Sequence, residues 1–196
     1  MSEYVFGIEG LDSNLGRALA KGVLLVVAGH PGSGKTTLAS TVCYSNMLKG
    51  HRCLYLSVQE DRDKLFRNAK RLGIDMYSAE EKGLLKFAKL PLVIGEERIY
   101  NIYVEAVNRY VVDFSPKIVV VDSVTPILKA VGGDVKARAL LQNFFFELPK
   151  LINGLAILIA EIPLMEERIE PVDIEFVADI VLIMRHSVAG RLLQRD

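Results

Sequence analysis

The segment Gly29-His30-Pro31-Gly32-Ser33-Gly34-Lys35-Thr36 constrains this chain more than any other. It follows the pattern G-x-x-x-x-G-K-[ST]. Its glycines let the backbone wrap a phosphate with N–H groups turned inward, its lysine reaches the terminal phosphates, and its last hydroxyl holds Mg2+. The surroundings suit that reading. Val23-Leu24-Leu25-Val26-Val27-Ala28 is an unbroken apolar run, as expected of a strand buried on both faces. Residues 35–49 carry helical spacing and stop at Gly50. A phosphate held by the loop therefore sits on a helix N-terminus, where free N–H groups and the helix dipole favour anions.

Strand and helix patterns alternate along the rest of the chain. Leu54-Tyr55-Leu56-Ser57 predicts a second strand, and Leu84–Lys89 a third that Pro91 closes. Asp61 is placed to cap a helix whose Leu65, Phe66, Ala69 and Leu72 share one face ahead of Gly73. Ile99, Ile102, Tyr103, Ala106, Val107, Tyr110, Val111 and Phe114 repeat at three-four spacing, which predicts a helix over 99–114 that Pro116 ends. Ile118–Val121, Leu155–Ala160 and Ile180–Met184 predict three more buried strands, and one long helix is expected from Asp134 to about Ile152. Continuous apolar strands alternating with helices make a mainly parallel sheet with helices on both faces, an α/β fold. No linker, repeat or low-complexity stretch interrupts it, so residues 1–196 are expected to form a single domain. Ligands of such sheets lie beyond the carboxyl ends of the strands, and Lys35, Gln59, Asp122 and Glu161 each follow a strand there.

Charge and composition mainly exclude. Lys plus Arg number 24, as do Asp plus Glu, so no overall field draws the chain to nucleic acid. Apolar residues at 51% argue against disorder. No apolar run reaches the roughly 18 residues that span a bilayer, and the start Met1-Ser2-Glu3-Tyr4 lacks a signal-peptide pattern. A cytoplasmic protein with no membrane partner is expected. Cys43 and Cys53 lie in apolar segments without metal-ligand spacing and are expected as buried thiols in a reducing compartment. His51 and His186 share no ligand spacing with each other or with the cysteines, and His30 is expected to do no chemistry.

Val121-Asp122-Ser123 completes a nucleotide site: an apolar strand ending in Asp places a carboxylate near the metal held by Thr36. The segments around these two motifs carry a resemblance. Phe6-Gly7-Ile8-Glu9-Gly10-Leu11-Asp12, Asp122-Ser123-Val124-Thr125-Pro126 and Val177-Ala178-Asp179-Ile180-Val181-Leu182 are similar to the patterns of the KaiC-like branch of the RecA superfamily of ATPases, over nearly the whole chain. The resemblance implies a RecA-like P-loop NTPase core, ATP with Mg2+ as ligand, and assembly with copies of itself or with another RecA-like chain. It also implies that Gly29, His30, Pro31, Gly32, Ser33, Gly34, Lys35, Thr36 and Thr37 contact the phosphates, and that Thr36 and Asp122 serve the metal.

Two departures lower the turnover the resemblance would imply. The family carries a Glu-Glu pair after the second strand, whose first member polarises the attacking water. Here the segment reads Ser57-Val58-Gln59-Glu60. Gln59 orients water but accepts no proton, and Glu60 takes the role only if the chain turns it inward. The family's K-x-R-G segment, which reaches a neighbouring subunit's phosphate, would lie beyond Asp196, so either the sequence is truncated there or the chain does not supply that finger; Lys136-Ala137-Arg138, which opens a mid-chain helix, does not take its place. Glu161 is a γ-phosphate sensor, a second candidate base, or a solvated carboxylate at the sheet edge. Of Phe144-Phe145-Phe146, one or two are expected in the core. Lys129, Lys136 and Arg138 flank Gly132-Gly133 as a modest basic group, and the acidic run Glu166–Glu170 opposes a phosphate backbone.

Three functions compete on this reading. The first is an ATP-binding, weakly hydrolysing accessory or regulatory protein, with a non-hydrolysing regulator as its variant. The second is a DNA-repair accessory that touches single-stranded DNA, which charge does not favour. The third is a P-loop kinase with autophosphorylation, for which no Arg-rich lid stands out.

Overall fold

The computed structural model describes residues 3–91, 99–163, 174–189 and 192–195. Six strands, β1 (Val23–Gly29), β2 (Cys53–Ser57), β3 (Leu85–Lys89), β4 (Ile118–Asp122), β5 (Leu155–Glu161) and β6 (Ile180–Met184), form one sheet. Their order is β3-β2-β4-β5-β1-β6, and every pair runs parallel. The helices are α1 (Glu9–Leu15), α2 (Lys35–Met47), α3 (Arg62–Lys70), α4 (Met76–Glu81), α5 (Ile99–Phe114), α6 (Val124–Ala130), α7 (Asp134–Leu140), α8 (Leu148–Leu151) and α9 (Ile174–Val177). A separate antiparallel pair, β7 (His186–Ala189) with β8 (Leu192–Arg195), follows the sheet.

Strand alternation sorts the core into two layers. On one face, Leu25, Val27, Cys53, Tyr55, Val120 and Ile157 pack with Leu38 and Val42 of α2, Leu65 and Phe66 of α3, and the N-terminal Tyr4 and Phe6. On the other, Val26, Leu56, Val121 and Leu158 meet Tyr103 and Val107 of α5, Ile127 of α6 and Phe145. Fully burying one such aliphatic or aromatic side chain is worth about 1.5–3 kcal/mol, which makes a two-sided parallel sheet the stable use of these runs. The alternation has a functional consequence. Asp122 shares the parity of Ile118 and Val120, and Glu161 that of Leu155, Ile157 and Ile159, so both carboxylates emerge on the α2 face.

Several expectations are corrected. The helix expected from Asp134 to Ile152 is broken: α7 passes into a π-helical turn, Leu141–Phe145, and α8 restarts with Pro149 in its first turn. The wider turn lets adjacent Phe144 and Phe145 both be buried, with Phe146 partly covered. α6 and α4 occupy stretches where no element is expected from the sequence. Leu72 lies outside α3 and is 61% exposed, so the buried face of α3 is Leu65, Phe66 and Ala69. Asp61 holds the N-cap position, but its carboxylate pairs with Lys89 instead of capping the helix.

Cys43 and Cys53 are not free thiols. They form a disulfide between α2 and β2, with Cα atoms 6.2 Å apart. Cys43 and Cys53 lie in the same core layer on the α2 face of the sheet, which brings together two residues that no sequence spacing rule pairs. The acidic run at 166–170 lies outside the described residues. Among those described, no helix is long and apolar enough to cross a membrane.

Candidate functional site

The site starts where β1 runs out. After Gly29 the chain turns, Ser33 N–H donating to His30 O at 3.1 Å, and α2 begins at Lys35. Gly32 has φ 78° and Gly34 φ 100°, backbone that a side chain strains. At Gly29 a Cβ would run into the Met184 carbonyl of β6, so the loop lies hard against the sheet. Gly34 is the N-cap of α2, and no side chain caps it. The helix therefore offers its first N–H groups and the positive end of its dipole to the loop's hollow.

Lys35 folds back into this hollow. Its Nζ donates to Gly29 O and His30 O, both at 2.8 Å, and the side chain is buried. Burial lowers its pKa, and the charges of Glu161 and Asp122 pull it back up. The Ser33 hydroxyl is fully buried and meets no hydrogen-bond partner among the described residues. An uncapped helix start, two glycines in the left-handed region, a lysine and an orphaned hydroxyl fit a polyphosphate.

One turn into α2, the Thr36 hydroxyl donates to Asp122 Oδ2 at 2.8 Å. That bond uses the proton of Thr36 and leaves its oxygen lone pairs for a cation. Tyr55, from β2, donates its hydroxyl to the same Oδ2, also at 2.8 Å. Register aligns these groups: Ser57 lies opposite Asp122, and Gly29 opposite Glu161. Burial pushes the Asp122 carboxyl up, while the Tyr55 and Thr36 hydroxyls hold it down. Burial and the Asp122 charge keep the Tyr55 phenol protonated. No cluster of three or more His, Cys, Asp or Glu exists among the described residues. Thr36 with Asp122 suits a Mg2+ that takes its other ligands from phosphate and water.

The two candidate bases after β2 separate here. Ser57 Oγ accepts from Glu60 N–H at 3.0 Å and donates to Glu60 O at 2.9 Å, closing a tight turn. That turn leaves Gln59 exposed and places Glu60, half-buried, on a cavity of about 160 Å3 with Thr36, Thr37 and Ser40. Glu60 also pairs with Lys64 at 3.0 Å. Glu161 is half-buried and hydrogen-bonded. Ser123 Oγ donates to its Oε1 at 3.2 Å, and its own N–H donates to Thr125 Oγ1 at 2.9 Å. The Asp122–Ser123 peptide is cis. His30 donates Nδ1–H to Ile162 O at 3.1 Å, pinning the loop to the chain after β5.

A second cavity, about 350 Å3, adjoins the loop. It is walled by Ile8 and Leu11, by Thr37, Leu38 and Thr41 of α2, and by Leu182, Ile183 and Met184 of β6. The motif segments at the two chain ends build these walls. The Asp12 carboxylate accepts the N–H groups of Phe6 at 2.6 Å, Gly7 at 2.9 Å and Ile8 at 3.1 Å, folding the N-terminal segment over α2. Asn46 pairs with the Val5 backbone through both its amide atoms. Asp179 accepts Leu24 N–H at 2.7 Å and donates its own N–H to Leu24 O, which sets β6 beside β1. Lys129, Lys136 and Arg138 are exposed around Gly132-Gly133 and line neither cavity.

Sequence reasoning missed Tyr55, Ser57, Ser123 and Thr125. A usable signal existed for the first: a buried tyrosine needs a partner for its hydroxyl, and Tyr55 interrupts an otherwise aliphatic strand.

A phosphate-cradling turn between the first strand and its helix, faced by a carboxylate at a strand end of an all-parallel sheet, defines a RecA-like P-loop protein. The model of the family described as "ATPase: KaiC" matches residues 5–196, and the chain belongs to that family. It is 31% identical over 76% of its length to the circadian clock oscillator protein KaiC of Parathermosynechococcus lividus, covering 26% of that relative. It is 32% identical over 72% of its length to the circadian clock protein KaiC2 of a Synechocystis strain, covering 24% of it. The chain thus spans about a quarter of these relatives. Its fold matches the crystal structure of a KaiC-like protein from Pyrococcus horikoshii OT3, with TM-score 0.81 and 22% identity over 97% of this chain and 84% of that one.

Proposed function

We propose that this chain binds ATP with Mg2+ at the β1–α2 loop, as a single RecA-like domain, and turns it over slowly in a regulatory or accessory role. The observation that carries the reading is the Thr36–Asp122 hydrogen bond beside an uncapped helix start and Lys35. The backbone from Gly29 to Thr37 holds the phosphates, and Thr36 and Asp122 hold the cation. When bound, Mg2+ neutralises charge on the phosphate oxygens. The apolar cavity between Ile8, Leu11 and β6 takes the flat base, since its walls are aliphatic and it opens beside Thr37.

Glu60 is the residue we assign to proton acceptance, because its carboxylate faces the cavity that Thr36 lines, whereas Gln59 is exposed. Glu161, buttressed by Ser123 and facing the charge of Lys35, senses the terminal phosphate. Loss of a well-placed base costs about 10²–10⁴-fold in rate, so slow turnover follows from a site that keeps only the second carboxylate of the pair. Ile8 and Ile183, partly exposed at the cavity, support closure by a second copy or a related chain. Contact with single-stranded DNA through Lys129, Lys136 and Arg138 is the lesser reading, given the balanced charge.

Calorimetric titration with ATP in Mg2+ tests the assignment. Binding is expected for the unmutated chain and lost in Lys35→Ala at unchanged circular dichroism. Absence of heat with every nucleotide tried in the unmutated chain overturns it.

A further inference from the structure

We propose that Tyr55 is a positioning residue for the metal side of the site: its hydroxyl fixes Asp122 Oδ2, which would leave Oδ1 available to a cation accompanying the nucleotide. This rests on the ATP reading above and extends it to a residue outside the loop and the strand-end carboxylate.

The geometry is specific. Both hydrogen bonds to the carboxylate, from Tyr55 and from Thr36, land on Oδ2 at 2.8 Å, and Oδ1 accepts from neither. Thr36 lies on α2 and Tyr55 on β2, so the carboxylate is gripped from the helix and from the sheet at once. Tyr55 itself has little freedom. It is fully buried in a strand paired on both sides, with β3 and β4, and its ring stacks on Phe87 at 6.3 Å between centroids. A carboxylate with one donor alone turns about its Cβ–Cγ bond; a second donor on the same oxygen, from a rigid strand, removes that rotation. Metal ligands held by a supporting shell bind about 10–100-fold better than unsupported ones.

The test is Tyr55→Phe, which deletes one oxygen and keeps the ring. Binding of a fluorescent ATP analogue is measured against Mg2+ concentration and, separately, in EDTA. The Mg2+ concentration at half-saturation is expected to rise about 5–20-fold, while affinity in EDTA stays within twofold. Thr36→Val sets the scale for losing a metal ligand outright. An unchanged Mg2+ midpoint in folded Tyr55→Phe overturns the proposal, as does an equal loss with and without Mg2+, which marks general damage to the core. If Tyr55→Phe does not fold, Tyr55→Leu read the same way decides between the same outcomes. Absence of analogue binding by the unmutated chain under both conditions defeats the ATP reading itself and is thereby told apart.

Discussion

The Asp122 carboxylate, proposed above to serve a cation, sits where burial disfavours its charge. Burial raises its pKa above the ordinary 3.8, so the stability it contributes is present below that value and lost as pH rises through the raised one. At neutral pH the fold carries a desolvated charge. Asp122→Asn keeps an acceptor for Thr36 and Tyr55 without the charge. It is expected to melt ~2–4 °C higher than the unmutated protein at pH 7 without ligand, a gain that shrinks toward pH 4 and is accompanied by loss of Mg2+-dependent binding. A lower melting point at pH 7 contradicts the assigned burial cost. At the neighbouring turn, Glu60→Gln is expected to reduce phosphate release about 10²-fold or more with nucleotide affinity unchanged, and Gln59→Ala to change it little. The opposite ranking in a steady-state assay returns the role to Gln59. Glycine and lysine at the loop were legible because they fall at the spacing of a phosphate-binding turn. Tyr55 and Ser123 were not, because strand register, not sequence distance, brings them to Asp122 and Glu161.

Elements carry the site by the way they are tied together. The disulfide fastens the phosphate-loop helix α2 to β2, the strand that carries Tyr55 and leads to Glu60. It closes a loop of sequence separation 10, for which chain entropy gives about 2.5–3 kcal/mol of stabilisation. Cys43→Ala with Cys53→Ala is expected to lose about that much in urea unfolding. Thiol titration of the denatured, unreduced protein is expected to find no free thiol, and two would show the bond is absent. At the other edge, Gly29→Ala places a methyl group against the Met184 carbonyl and the Ser33 hydroxyl. A loss of about 1–3 kcal/mol is expected, together with weakened nucleotide binding because the loop must shift. The six strands were readable because each is a dense apolar run. The break in the long helix was passed over although Pro149 signals it, since a proline removes the bond back to residue 145; the π-helical form of Leu141–Phe145 was not readable from spacing.

At the scale of the whole molecule, ligand and fold are linked by mass action. A nucleotide at about 100 times its dissociation constant adds ~2.7 kcal/mol, or about 5–10 °C in melting temperature for a chain of this size. Differential scanning with ATP and Mg2+ is expected to show that rise, and Lys35→Ala to abolish it. The same scan with ATP in EDTA separates the phosphate grip from the metal. With charge balanced at 24 against 24, association with single-stranded DNA is expected to be weak even at low salt. Tight, steeply salt-dependent binding in a filter or anisotropy assay would favour the DNA accessory role instead.

By itself the sequence determined the strand-loop-helix on which the proposed nucleotide reading rests, and the alternating layers, because each of these is dictated by local chemistry: glycine where φ is positive, apolar runs where both faces are covered. Tertiary structure alone decided that Glu60 and not Gln59 lines the cavity beside Thr36, that Cys43 meets Cys53, and that Tyr55 hydrogen-bonds Asp122. Those outcomes depend on strand order and parity across residues far apart in the chain, which no local pattern encodes.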